Sequence, residues 1–389
     1  MAAVQPILIV GGGIGGLSLA LALGRADIPA VVLEQADDFS DIGAGLQLSP
    51  NAVRRLETLG LRSSLEGVAS QPDRIQLYDG VDGAALNEVP LGDIALARYG
   101  APYWVMARKD LQTSLLEAVR SCASVEVQTG QKFVDYQQNE TGVTAEMASG
   151  ARVEGALLVG ADGIWSRVRH MISPEAVPQR TGFVAWRALP SKDDAPVLFS
   201  SSNTCAWLGP DAHVVAYRVA GGDMVNLVAV TKGEAQQRSW DEALPRDALF
   251  EQLRPWHKSV RGAVMEVADW RAWPLMVLKP FRPWHKRRLL VMGDAAHAVV
   301  PFLAQGAALA IEDAVVLGDL IETHQDALQE VPVLFEEQRY RRCLRVFSKS
   351  IYNGQIYHAH GISRRVRNFG LKRMPSRWLL RQYDWVYEG

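Results

Sequence analysis

The chain has 389 residues, 48% of them hydrophobic and 22% charged, with a formal net charge of −2. That length accommodates two domains or one large α/β unit with an inserted layer, and the charge balance gives no reason to expect nucleic-acid binding. The three cysteines, Cys122, Cys205 and Cys343, are widely spaced and form no C-x-x-C. Such spacing points to buried or free thiols in a reducing cytoplasm, with no disulfide framework and no metal expected.

Residues 7–24 read ILIVGGGIGGLSLALALG, without one charged side chain. Eighteen such residues approach the length of a membrane span, but Gly11, Gly12, Gly13, Gly15 and Gly16 make poor helix material. No Lys or Arg precedes Ile7, so a secretory n-region is missing as well. The segment is therefore predicted as a buried strand over 7–10, a tight turn over 11–16 and a buried helix over 17–25, with no membrane span. The turn fits G-x-G-x-x-G. Gly11 permits the sharp turn, Gly13 lets backbone approach a pyrophosphate, and Gly16 brings helix and strand together, with Ile14 and Gly15 in the same cradle. A second strand over 30–33 ends in Glu34, about 20 residues on, where an acid accepts the hydroxyls of an adenosine ribose. Gln35 sits beside it.

The loop that follows, DDFSDIGAGLQLSPN, carries Gly45 and Gln47, both candidate cofactor contacts. A helix is expected after Ser49 (cap) and Pro50 (first turn), running to Gly60. Residues 73–105 alternate in short apolar pieces and are predicted as antiparallel strands. Arg108 opens an amphipathic helix to Val119. Strands are expected over 125–128, 132–137, 142–147 and 156–159, the last ending in Gly160-Ala161-Asp162-Gly163. Residues 183–230 read as β again, with a helix near 246–254. A buried strand over 289–292 leads into Gly293 and Asp294, and a helix spans about 304–322. The last 60 residues look helical. Between Arg339 and Arg381 lie twelve Lys or Arg and no acid. A solvated helical face balanced by acids elsewhere is favoured there over a surface for anions or lipid.

Asp294 leaves a buried strand at the end where ligands bind in open α/β sheets, and can accept hydrogen bonds from a sugar-alcohol chain. The loop from Pro301 precedes a helix whose first N–H groups, at Gly306 and Ala307, are free to stabilise a ring that gains negative charge on reduction. NAD has no use for this second site, whereas a flavin with its ribityl chain does. The layout expected is α/β: a Rossmann-like dinucleotide domain from 1–72, 98–178 and 278–345, and an inserted, mainly antiparallel β-sheet substrate domain from 73–97 and 179–277. Residues 346–389 form a helical C-terminal segment.

Gly11 to Gly16, Gly160-Ala161-Asp162-Gly163 and Gly293-Asp294 through Gly306 resemble, in order, the three fingerprints of the single-component (class A) FAD-dependent aromatic hydroxylases. Within that family the likeness is to the group of salicylate hydroxylase, 3-hydroxybenzoate 6-hydroxylase and 6-hydroxynicotinate 3-monooxygenase. It covers nearly the whole chain and includes Arg108 with Asp110-Leu111, the pair Trp186-Arg187 and the H-x-x-x-Y of His213 and Tyr217. The resemblance implies FAD as cofactor, with NADH or NADPH as a transient co-substrate lacking its own nucleotide domain. It further implies hydroxylation, by O2 through a flavin C4a-hydroperoxide, of a small phenolic or hydroxylated N-heteroaromatic acid.

By the same resemblance Arg108 reaches the dinucleotide, and Gln47 and Pro301 lie near the flavin ring and the substrate. Arg187 is a candidate for a substrate carboxylate or for a pair with an acid in the sheet. Two readings fit Asp162, a helix N-cap and a contact to flavin or reductant. In the extended segment HVVAYRV, His213 and Tyr217 share one face with Val215 between them. They are the candidates for helping a ring hydroxyl ionise, unless His213 is a turn residue and Tyr217 a core aromatic. Other classes fit fewer motifs: a colourless NAD dehydrogenase, a dinucleotide-sensing protein, or a flavin epoxidase or reductase acting on an isoprenoid-like substrate. Trp378 and Trp385 mark a candidate homodimer face.

Overall fold

The computed structural model describes residues 5–39, 45–233 and 246–389. Part of the loop after Glu34, with Gly43, lies outside the described residues. Four wholly apolar segments, Ile7–Val10, Ala30–Leu33, Leu157–Gly160 and Leu289–Val291, are buried along their length or nearly so. Strands covered on both faces need such continuous apolar runs, and these pair in parallel. With Val125–Gln128 and the edge pair His285–Lys286 they form one six-stranded sheet, ordered 285–286, 289–291, 157–160, 7–10, 30–33 and 125–128. Only the 285–286 edge runs antiparallel to its neighbour.

The helix Ile14–Arg25 covers this sheet and packs against a second helix, Gly306–Thr323. Small residues set the approach. A Cβ on Gly15 would lie 3.3 Å from Ala310 Cβ, and one on Gly318 would lie 2.8 Å from Ala22 Cβ.

A seven-stranded sheet holds Arg271–Val277, Gln179–Ala188, Met224–Lys232, Ala212–Val219, Thr204–Gly209, Arg74–Asp79 and Ala85–Pro90, in that order. Its pairs are antiparallel except Thr204–Gly209 with Arg74–Asp79. A two-stranded ribbon, Gly45–Leu48 with Trp104–Ala107, reaches it: the Gly45 N–H donates to Asn226 Oδ1 at 2.7 Å. A three-stranded sheet of Phe133–Gln138, Val143–Met147 and Arg152–Gly155 completes the β structure of the described residues.

Several expectations need correction. The stretch 73–105 contains a helix, Gly92–Tyr99, between its strands. Leu91, Ala95 and Tyr99 are buried at a spacing of four, which resembles alternation when read as short pieces. The first helix begins at Ile14 rather than Leu17. Ser49 occupies the N-cap position of Pro50–Thr58, but its Oγ donates to Asn51 Oδ1 (2.6 Å) instead of capping the helix.

Helices make up the chain's end: Val331–Tyr357, Gly361–Arg373, Ser376–Arg381 and Asp384–Tyr387. The first passes through residues 345 and 346 without a break. Much of the basic stretch is paired. Arg339 and Arg342 meet Glu312 and Asp313, while Arg364 and Arg367 meet the buried Asp79. No helix among the described residues is long and apolar enough to cross a membrane.

Candidate functional site

Each glycine of the first turn has its own reason. Gly11 has φ +106°, and a Cβ there would lie 2.5 Å from Ala161 O on the neighbouring strand's exit. A Cβ on Gly16 would sit 1.9 Å from Gly11 O, so the helix presses directly on the turn. Around Gly13, at the N-cap of Ile14–Arg25, no atom lies within 4 Å of a Cβ position. That open space faces uncapped N–H groups, and the first turn carries no acid to neutralise them. The arrangement fits a pyrophosphate.

Glu34 Oε2 accepts the Gly12 N–H at 2.7 Å and Oε1 accepts the Ala36 N–H at 2.9 Å. Each oxygen keeps a lone pair for a ribose hydroxyl. Gln35 is exposed next to it, Ile14 is buried in the core, and Arg108 opens the helix Arg108–Arg120 in a partly accessible position. Gln112, one turn further along that helix, donates to Gly12 O at 3.2 Å.

The second half of the cradle lies at Gly293, whose φ of +58° turns the chain out of the sheet. Asp294 is exposed there, and its Oδ1 lies 4.0 Å from a Cβ position on Gly306. Pro301 is exposed at the start of a single 3₁₀ turn, Pro301–Leu303, and Ala304 follows at φ +52°. Gln305, at the N-cap position of Gly306–Thr323, gives the helix no side-chain cap. It turns inward, donating to Ser49 Oγ at 2.8 Å and accepting from Asn51 Nδ2 at 3.0 Å. The first N–H groups, from Gly306 and Ala307, are left to a ligand beside the Asp294 carboxylate. A sugar-alcohol chain ending in a reducible ring suits this pairing of one acid with free donors.

Beneath the second loop lies a charge network that the sequence reading did not find. Asp313 Oδ2 accepts from the Gly293 N–H (2.9 Å) and meets His297 Nε2 (2.6 Å), while Oδ1 accepts from Arg339 Nε (2.6 Å). Glu312, one residue earlier, accepts from Asn51 Nδ2 at 2.7 Å, from Arg339 at 2.7 Å and from Arg342 at 2.5 and 2.6 Å. Burial alone would raise the Asp313 carboxyl, but His297 and Arg339 hold it below the usual range. Burial opposes charge on His297 too, while Cys343 and Asp313 raise its affinity for a proton well above an ordinary histidine's. His297, Asp313 and Cys343 bring ligand atoms within 4.8 Å of one another, yet the Arg339 guanidinium already supplies the positive charge there. The available signal was the adjacent acids Glu312 and Asp313 within the otherwise apolar run over residues 307–318, since buried carboxylates need partners.

Asp162 takes the helix-start role: Oδ2 accepts the N–H groups of Arg167 (2.7 Å) and Val168 (3.2 Å), and Ser166 Oγ donates to Oδ1 at 2.5 Å. The helix itself begins at Arg167, with Ser166 at its N-cap, rather than near Ile164.

Opposite the second loop stands one face of the seven-stranded sheet. Tyr217 pairs with Asn226, Val215 and Arg187 each pair with Val228, and His213 pairs with Val230, so these side chains share a wall. His213 lies within the strand and is buried, which removes the turn-residue reading. Tyr217 does pack into the core, and it also edges the wall. A Cβ on Gly45 would meet Tyr217 Cε2 at 2.7 Å and Asn226 Cγ at 2.6 Å, a packing reason for that glycine. Gln47 Oε1 accepts from Tyr103 Oη at 2.7 Å, and the Gln47 side chain also bonds Tyr217. Burial pushes the Tyr217 phenol up to about 12, against the pull of Arg187 and Gln47.

At the middle of this wall Val215, Val228, Arg187, Trp273 and Gln47 are all partly accessible. Apolar side chains in a sheet centre stay accessible when a space lies over them. Arg187 stacks on the Trp273 ring at 4.5 Å, and its buried Nε has no hydrogen-bond partner. Burial lowers its proton affinity, and the charged and polar groups that act on it are Tyr217 and Arg108, with no carboxylate among them. His213 is enclosed by Phe302 and Tyr357, with ring centroids 5.4 and 5.5 Å away, and its Nδ1 lies 2.7 Å from His358 Nε2. Burial, then His358, holds the His213 imidazole well below its ordinary pKa, so it is neutral at pH 7.

Comparison with known proteins places these features in a family. A family model described as "FAD binding domain" matches residues 5–331. The chain is 34% identical to 3-hydroxybenzoate 6-hydroxylase of Polaromonas naphthalenivorans (strain CJ2), covering 98% of this chain and 95% of the relative. It is 35% identical to 3-amino-4-hydroxybenzoate 2-monooxygenase PtmB3 of Streptomyces platensis, over 98% and 95% of the two chains. Among solved structures, HpxO of Klebsiella pneumoniae complexed with FAD and uric acid superposes with a TM-score of 0.87. That match has 23% identity over 99% of this chain and 97% of the other, and speaks for the fold alone.

Proposed function

This chain belongs to the family of FAD-dependent aromatic-ring monooxygenases, and from that premise we propose that it hydroxylates a hydroxylated aromatic carboxylic acid held by Arg187. The enzyme uses FAD, with NAD(P)H as reductant. Bound FAD, once reduced, supplies the activated oxygen. Gly13 and Glu34 would hold its pyrophosphate and ribose, with Arg108 reaching the same half. Asp294, Gly306 and Ala307 would hold the ribityl chain and ring, and Gln47 and Pro301 would border it.

The carrying observation is the partly accessible Arg187 guanidinium, stacked over Trp273 with a buried, unpartnered Nε. A half-buried cation without a protein anion is partly desolvated at a cost, and a substrate carboxylate offsets that cost. Both relatives named above act on benzoates by their names, which supports the choice of a carboxylate. The ring then lies over Val215 and Val228, between His213 and Tyr217. Ionising a ring hydroxyl of pKa about 10 at pH 7 costs roughly 4 kcal/mol. His213, neutral in its enclosure, accepts that proton, and the new phenolate beside it stabilises the imidazolium formed. Tyr217, with its phenol kept protonated, donates a hydrogen bond to the ring substituent.

The test is Arg187→Met with NADH oxidation and product mass measured against 3-hydroxybenzoate, 3-amino-4-hydroxybenzoate and their carboxamides. A lost charge-assisted hydrogen bond is worth about 1.5–3 kcal/mol, so KM for the acids should rise about 10- to 150-fold. The carboxamides should change little. Equal effects on acids and amides would place the carboxylate elsewhere.

Two coarser assignments accompany this reading. The three free cysteines support a reducing compartment, the cytoplasm, as its location. Trp378, 63% exposed, supports a homodimer face, whereas Trp385 is covered by Arg345 at 3.9 Å.

A further inference from the structure

We propose that His358, from the end of the long C-terminal helix, relays the substrate's proton from His213 to solvent. The inference rests on His213 being the base and adds a second residue to it.

His213 is 4% exposed. Around it stand Phe302 and Tyr357 at centroid distances of 5.4 and 5.5 Å, and Phe183 lies 4.6 Å from the His358 ring. Those rings leave little room for water. A base so enclosed takes one proton and must pass it on before the next turnover. Among the described residues, the hydrogen-bond partner of its ring is His358, with Nδ1 and Nε2 2.7 Å apart. At that distance one nitrogen carries the hydrogen and the other accepts it, so the two neutral rings share a single proton between them.

His358 has an outlet. It is the C-cap residue immediately after Val331–Tyr357, and the chain reaches the surface within two residues, at His360. Its carbonyl accepts from the Asp211 N–H (3.3 Å), in the turn that begins the His213 strand. Asp211 is itself accessible, near Lys232 at 4.0 Å. Charged groups act on His358 from both sides: Asp211 favours its protonation, and Arg367 of the next helix opposes it. Burial, the largest influence, holds it down to about 4. The resting pair is thus neutral and charges only transiently.

The balance is simple. The ring O–H bond breaks as the proton moves to His213 Nε2. The Nδ1 proton passes to His358 Nε2, and the His358 Nδ1 proton leaves to water by Asp211. No electrons move, and the net change is one substrate phenolate and one hydronium. His358 acts through His213 and does not touch the substrate.

The experiment uses FAD-loaded enzyme and the probe 3-hydroxy-4-nitrobenzoate, a phenolic acid whose ionisation is coloured, in stopped flow from pH 6 to 9. The wild type should ionise the bound probe rapidly. His358→Gln keeps a hydrogen bond to His213 but cannot relay. It should retain FAD absorbance and probe affinity, ionise the probe at least tenfold more slowly, and recover with added imidazole. A role for His358 in holding His213 alone would be kept by Gln and would not respond to imidazole. An unchanged rate in His358→Gln with a slowed His213→Gln overturns the relay while leaving His213 as the base. Unchanged rates in both variants, or a probe that no form ionises, overturn the relay and the base together.

Discussion

Replacing Asp313 with Ala tests whether the buried charge network supports the flavin loop. The carboxylate is fully buried and satisfies three donors: the Gly293 N–H, His297 and Arg339. Its removal leaves Arg339, itself only 5% exposed, with Glu312 as its remaining acid. Breaking a buried pair from one side costs about 3–5 kcal/mol. Unfolding entropy near 2.1 cal/mol/K per residue makes about 0.8 kcal/mol/K for this length, so Tm should fall by about 4–6 °C. The loop that places Asp294 loses its backbone anchor at Gly293, and FAD affinity should fall at least tenfold. Calorimetry of the apoprotein measures the first effect, and fluorescence titration with FAD the second. A variant within 1 °C of the wild type would refute the energetic reasoning, and unaltered FAD affinity would separate the network from the loop.

The glycines of the first turn should behave differently. Gly16→Ala forces a 1.9 Å contact with Gly11 O and should abolish folding, whereas Gly13→Ala meets no protein atom within 4 Å. Gly13→Ala should fold with a stability change under about 1 kcal/mol yet lose FAD affinity tenfold or more. Normal FAD binding there would show that the open space is not the phosphate seat. A third expectation concerns pH. His297 binds its proton more tightly folded than unfolded, so its contribution is complete below about pH 6.5 and fades as pH rises through the higher folded value. The Tm difference between wild type and His297→Gln should therefore shrink from pH 6 toward pH 10, and a constant difference would contradict the charge assignment.

The strand, turn and helix over residues 7–25 were legible because each step is local: an apolar run, glycines at fixed offsets, and Glu34 at the next strand's end. The shared face of His213 and Tyr217 was legible for the same reason, since a strand's period fixes it. What escaped is non-local. Glu312 meets Asn51 from 261 residues away, and His358 reaches His213 across 145. No spacing rule links such positions. The packing of Gly45 against Tyr217 and Asn226 likewise depends on a strand pair formed far down the chain. The helix Gly92–Tyr99 was lost because its buried residues were too few to show a period.

The most direct test of the central claim is isotopic. FAD-loaded enzyme, NADH, 18O2 and 3-hydroxybenzoate or 3-amino-4-hydroxybenzoate should give a product 18 mass units heavier than the acid, because one 18O is inserted into a ring C–H bond with no atom lost and the second oxygen leaves as water. About one labelled product should form per NADH consumed, the stoichiometry of a monooxygenase. NADH oxidised wholly to hydrogen peroxide with every hydroxylated aromatic acid, and no labelled product, would contradict it.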